Sequence, residues 1–229
     1  MADDINVLLD SLRIDQAIIG GLSRGGSIAT AFYDEYPERT LALILADGGS
    51  VSWVTEIQKL SMEEARHKIG SFTTPDDQVF ATRREAYYAF NYYQDTSKQF
   101  RTLNGLQKVD SIRWSANYRL KQWLWEDTPE HIIDGGFRPT TVPLFEASTT
   151  MLYPKIVYRN LDVPMLIFDP VEAGDWLMDF EDENKALQSM HPNLITHLVY
   201  QDTNHNVQAD KPERFISDLL KFISNVTTH

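Results

Sequence analysis

The 229 residues are 42% hydrophobic and 11% aromatic, values of a globular chain long enough to bury one full core with an insert. A formal charge of −12 argues against nucleic acid and anionic membranes as partners. The lack of cysteine excludes disulfides, thiolate metal sites and a cysteine nucleophile.

In chain order, residues 4–13 predict a helix with Ile5, Leu8, Leu9 and Leu12 on one face. Residues 15–21 read as a short buried strand closed by glycines. From Gly25 onward, Ile28, Ala31, Phe32 and Tyr36 recur at helical spacing, and Pro37 marks a stop. Residues 41–46 predict another strand. Between about residues 51 and 160 the pattern becomes helical with aromatic spacing. Val79, Phe80, Tyr87 and Phe90 mark one helix, and Ile112, Trp114, Tyr118 and Trp123 mark another. A strand over 163–168, an acid-started helix ending near Met190, a strand over 194–200 and a helix over 215–223 complete the chain. Strands alternating with helices predict an α/β fold with a parallel sheet.

The chemistry is concentrated at Gly21-Leu22-Ser23-Arg24-Gly25, a Gly-x-Ser-x-Gly turn between a strand and a helix. Such a turn holds its serine at positive φ, which small neighbours at 21 and 25 accommodate. It presents the Ser23 hydroxyl at the carboxyl end of the sheet and aims the Arg24 N–H at a developing oxyanion. A serine hydroxyl needs a base to become a nucleophile. Of six histidines, His205 has the required place, in the loop between the last strand and the last helix. His197 reads as a sheet residue. The capping pattern Asp210-Lys211-Pro212-Glu213 follows His205 and opens the last helix. A carboxylate must then orient the imidazole. The loop after strand 163–168 offers Asp169, Glu172 and Asp175. Asp175 is the first choice, with Glu172 and Asp169 as alternatives.

Residues 18–26, Leu43-Ile44-Leu45-Ala46-Asp47, 163–167, and Asp202-Thr203-Asn204-His205-Asn206 with 211–215 resemble the α/β-hydrolase superfamily, in its lidded, esterase-like branch. One departure is Asn204, where that family usually has glycine. The resemblance implies a hydrolase core from residues 1–50 and 161–229, and a helical lid from 51–160. It implies a serine hydrolase of carboxylic esters or related acyl compounds, working through an acyl-enzyme without metal or organic cofactor, on a small substrate of apolar or aromatic character. It also implies that the first strands of the fold and an upstream oxyanion loop are missing. Loss of one oxyanion donor costs about 10²–10³ in turnover, so reduced activity is expected. A non-catalytic, hydrolase-like binding or regulatory domain is the alternative expectation. The strand at 16–20 would form an exposed edge, which predicts self-association. No apolar signal core and no run of membrane-spanning length are present, so the expected compartment is the cytoplasm.

Overall fold

The computed structural model describes residues 1–70, 79–85, 107–108, 110–115, 133–134, 136–138, 152–171 and 179–227. Apolar runs rich in Ile, Leu and Val become the strands of one parallel sheet. These are β1 (Ala17–Leu22), β2 (Thr40–Ala46), β6 (Met165–Val171) and β7 (Ile195–Gln201), in the order β1-β2-β6-β7. Register runs Ile19↔Leu43, Leu43↔Met165 and Met165↔Ile195, which aligns the carboxyl ends of all four strands. The two central strands are covered on both faces, and so read as near-continuous apolar runs rather than as alternating ones.

Helices α1 (Ala2–Leu12), α2 (Arg24–Glu35), α5 (Pro154–Val157) and α6 (Glu181–Met190) share one core, while α3 (Thr55–Gln58) and α4 (Met62–Gly70) follow β2 in the chain. There Leu9, Phe32, Tyr33 and Leu187 meet Leu43, Leu45, Met165 and Ile167 of the sheet. On the other face, α8 (Pro212–Thr227) lays Phe215, Leu219 and Phe222 against Ala42, Leu166, Phe168 and Tyr200. The rings of Phe168 and Phe215 stack with centroids 4.4 Å apart. The chain divides into two compact units, Met1–Lys59 with Pro139–His229, and Leu60–Arg138. Among the described residues no helix is long and apolar enough to cross a membrane.

Three local expectations change. Helix α1 buries a narrower stripe than its periodicity suggests. Ala2, Ile5 and Leu9 face the core, while Leu8 and Leu12 are exposed. In α2 the buried face is rotated by about one residue, to Gly26, Ala29, Thr30, Phe32 and Tyr33. Small residues let that helix lie close to the chain beneath it, which outweighs the pull of Ile28 and Ala31. In the second unit, Val79–Phe80 (β3), Gln107–Lys108 (β4) and Trp114–Ser115 (β5) form a small antiparallel sheet in the order β3-β5-β4. Helical spacing of Val79 with Phe80, and of Ile112 with Trp114, therefore misreads these positions. Tyr87, Phe90, Tyr118 and Trp123 lie outside the described residues.

Candidate active site

The carboxyl edge of the sheet carries the three segments of the candidate site: the turn after β1, the turn after β2 and the loop after β7. At the first, Ser23 has φ 56° and ψ −121°, a conformation L-residues rarely adopt. Its N–H continues the sheet ladder by donating to the Ala46 carbonyl at 2.8 Å, and its own carbonyl accepts from Gly26 at 2.9 Å to start α2. Ser23 is therefore the hinge at which strand becomes helix. Close packing explains one glycine: a Cβ on Gly21 would stand 2.2 Å from the Gly25 backbone. A Cβ on Gly25 would meet nothing within 4 Å, so its own side-chain position carries no such steric demand.

The second turn lies against the first. A Cβ on Gly48 would come within 2.2 Å of the Ser23 carbonyl oxygen, and one on Gly26 within 2.0 Å of the Gly48 carbonyl oxygen. Backbone thus touches backbone between the serine turn and residues 48–49. Asp47 begins this second turn, buried and at φ 44°. Left-handed conformations of non-glycine residues cost about 1–3 kcal/mol and persist where the surroundings enforce them. Two of them, Ser23 and Asp47, sit side by side at the sheet edge.

The third segment is Asp202–Asn206, which leads into the short helix α7 (Val207–Asp210). Asp210 accepts the Asn204 N–H at 3.0 Å, and Asn204 Oδ1 accepts the Asn206 N–H at 3.2 Å. Asp210 therefore braces the histidine loop. The residue at positive φ here is Asp202, at 54°, not Asn204, so the glycine that Asn204 replaces is not needed for backbone freedom. Between these braces His205 Nδ1 lies 2.5 Å from Asp47 Oδ2. An ionised carboxylate only accepts, so the contact places a proton on Nδ1, and in a neutral ring of that tautomer Nε2 carries the lone pair. The Asp47 side chain is 2% exposed and that of His205 39%, so a desolvated anion holds a histidine still open to solvent.

The structure thus brings Ser23, His205 and Asp47 to one edge, and the Arg24 N–H opens α2 at its positive end. Asp175 and Glu172 lie outside the described residues. Asp169 is buried on β6 with its Oδ2 2.6 Å from Nε2 of His197 on β7. In the sequence Asp47 carries no mark of a carboxylate partner, because it follows a strand like any end-of-strand polar residue. Its separation of 158 residues from His205 leaves no local signal.

A family model for the alpha/beta hydrolase fold matches residues 1–212. The chain belongs to the alpha/beta hydrolase family. Among solved structures, this alpha/beta hydrolase is similar to an E-2-(acetamidomethylene)succinate hydrolase, at 17% identity and a TM-score of 0.55, over 97% of this chain and 72% of that one. A meta-cleavage product hydrolase, CumD, matches at 16% identity and a TM-score of 0.54, over 98% of this chain and 70% of that one. A thermophilic esterase from Thermogutta terrifontis matches at 19% identity and a TM-score of 0.51, over 98% and 71%. At these identities the likeness is one of fold. No curated protein matches the sequence.

Proposed function

We propose that this alpha/beta hydrolase is a serine hydrolase of carboxylic esters or related acyl compounds. The observation that carries the reading is the 2.5 Å contact of His205 Nδ1 with buried Asp47, at the same sheet edge as the strained Ser23. Ser23 Oγ attacks the acyl carbonyl while His205 Nε2 takes its proton. The carbonyl π electrons move to oxygen, and the Arg24 N–H donates to the resulting oxyanion. Collapse expels the alcohol, which leaves with the proton from His205 and gives an acyl-Ser23. Water, deprotonated by the same imidazole, then releases the acid and restores the serine. Asp47 holds the imidazole in the tautomer that can accept from Ser23, and stabilises the imidazolium.

The insert at 51–160 takes the role of a lid in this reading, supported by its position between β2 and β6 in the chain. Self-association through β1 is a further part of the proposal, supported by its place at an edge of the sheet formed by the described strands. A fluorophosphonate probe tests the central claim. Ser23 Oγ forms a bond to phosphorus, fluoride leaves, and His205 takes the serine proton. Labelling of the wild type and its loss in Ser23→Ala is expected. Wild-type chain that stays unlabelled while folded refutes hydrolysis and favours a non-catalytic binding domain.

A further inference from the structure

The residues that fix Ser23 and those that fix Asp47 meet at one buried hydroxyl. Thr30 lies on α2 seven residues after Ser23, about 10 Å along the same helix at 1.5 Å per residue. It is fully buried. A threonine within a helix ordinarily returns its hydroxyl to the carbonyl four residues back. Here that carbonyl, Gly26, is 3.0 Å from Oγ1, but the Gly49 carbonyl is nearer, at 2.7 Å. One O–H has one proton, and the shorter partner is in the turn that carries Asp47. The Thr30 oxygen in turn accepts from the Tyr158 hydroxyl at 2.7 Å. Tyr158 is itself fully buried, and its backbone carbonyl lies 2.7 Å from His191 Nε2.

We propose that Thr30, backed by Tyr158, is a positioning residue that locks the Asp47 turn to the helix bearing Ser23, so that nucleophile and carboxylate share one rigid frame. The proposal rests on the hydrolase reading above for its catalytic consequence, but its geometric content stands independently. Gly49 has φ +87°, and a Cβ there would lie 2.3 Å from Gly26 and 2.7 Å from Thr30 Oγ1. The turn is therefore pressed onto α2, and the Thr30 hydroxyl ties it there from the buried face of the helix. Without that bond the Gly49 carbonyl and the Tyr158 hydroxyl are both left buried, and the turn gains a reason to move toward water. A shift of the turn carries Asp47 with it, and through Asp47 the ring of His205.

The test compares Thr30→Val, Thr30→Ser and Tyr158→Phe in the full chain with two readouts. The first is the low-field proton resonance of the His205 Nδ1–H, assigned by its loss in Asp47→Asn. The second is the rate of fluorophosphonate labelling. Thr30→Val is expected to lose the resonance and to label about 10- to 100-fold more slowly, since an ångström of misplacement reaches that size. Thr30→Ser keeps the hydroxyl and restores both, while Tyr158→Phe falls between. A folded Thr30→Val with resonance and labelling unchanged overturns the proposal. So does a Thr30→Ser as impaired as the valine variant, because the hydroxyl is then not the cause. Should the valine variant fail to fold, Tyr158→Phe decides, and wild-type behaviour in it overturns the relay. A wild-type chain that shows the resonance but takes no probe refutes the hydrolase reading alone. In that case the resonance across the three variants still judges the positioning role.

Discussion

Asp47→Asn separates the carboxylate seen on His205 from the three acids of the 169–175 segment. The substitution keeps the side-chain shape and removes its charge. The amide can present Nδ2 to the ring, which leaves the Nε2 tautomer protonated and unable to accept from Ser23. A carboxylate-to-amide change at such a position costs about 10⁴ in turnover where the pair is well enclosed. Asp47 is enclosed, at 2% exposure, but His205 is 39% exposed, so water compensates part of the loss. The expected drop in kcat is about 10²- to 10⁴-fold, or about 3–5.5 kcal/mol at 1.36 kcal/mol per tenfold. Initial rates on p-nitrophenyl acetate measure it, with thermal unfolding as the control for folding. Asp47→Asn within about threefold of wild type, beside Asp175→Asn reduced by at least about 10²-fold, refutes the reasoning and moves the acid to the loop after β6.

Other outcomes follow from single contacts. Gly25→Ala is expected to fold as well as wild type, because its Cβ enters open space and alanine favours a helix over glycine by up to about 1 kcal/mol. Gly48→Ala, whose Cβ would press on Ser23, is expected to lose stability by about 1–3 kcal/mol and to label far more slowly, as read by denaturant unfolding and probe kinetics. Burial, with the hydrogen bond to Asp162, pushes the Tyr33 hydroxyl up to about 12. The folded state therefore keeps a proton that the unfolded chain gives up near 10, and stability falls as pH rises from about 10 to 12. Tyr33→Phe is expected to flatten that decline, and an unchanged slope in alkaline unfolding curves refutes it. Sedimentation velocity is expected to show concentration-dependent association that Ile18→Lys, on the edge strand β1, reduces.

The strands at 17–22, 40–46, 165–171 and 195–201 were legible because buried parallel strands are short apolar runs punctuated by glycine, proline and turns. The Gly-x-Ser-x-Gly turn was legible from its place between an apolar run and a helical pattern, and of its two glycines only Gly21 is demanded by close packing. What leaves no trace in the sequence is side-chain pairing between distant segments of the chain. Asp47 and His205 meet through sheet order, as do Asp169 and His197 through the β6–β7 register, and neither contact leaves a periodic trace. The face of α2 escaped for a different reason. Gly26, Ala29 and Thr30 are buried for their size and for one hydroxyl, and hydrophobicity ranks them below Ile28. In the 79–115 region, two-residue strands are shorter than any pattern can resolve.

The first unit is discontinuous in the chain, and this sets the order in which its parts can form during folding. β1 and β2 pair across a short connection, α2 and a 3-10 turn, so the contacts around the Ser23 turn close only a small loop. β2 pairs with β6, and Leu43 meets Met165 only after a loop of about 120 residues has closed. Closure of such a loop costs about 4 kcal/mol of chain entropy, whereas doubling its length adds only about 0.6 kcal/mol. Long-range parallel pairing of this kind is slow to form. The bond from Asp47 to His205 spans 158 residues and must wait for β7 and the loop beyond it. During synthesis Ser23 and both strands that flank its helix thus leave the ribosome long before His205 does. The segment between β2 and β6, for its part, can vary in length at little cost in chain entropy.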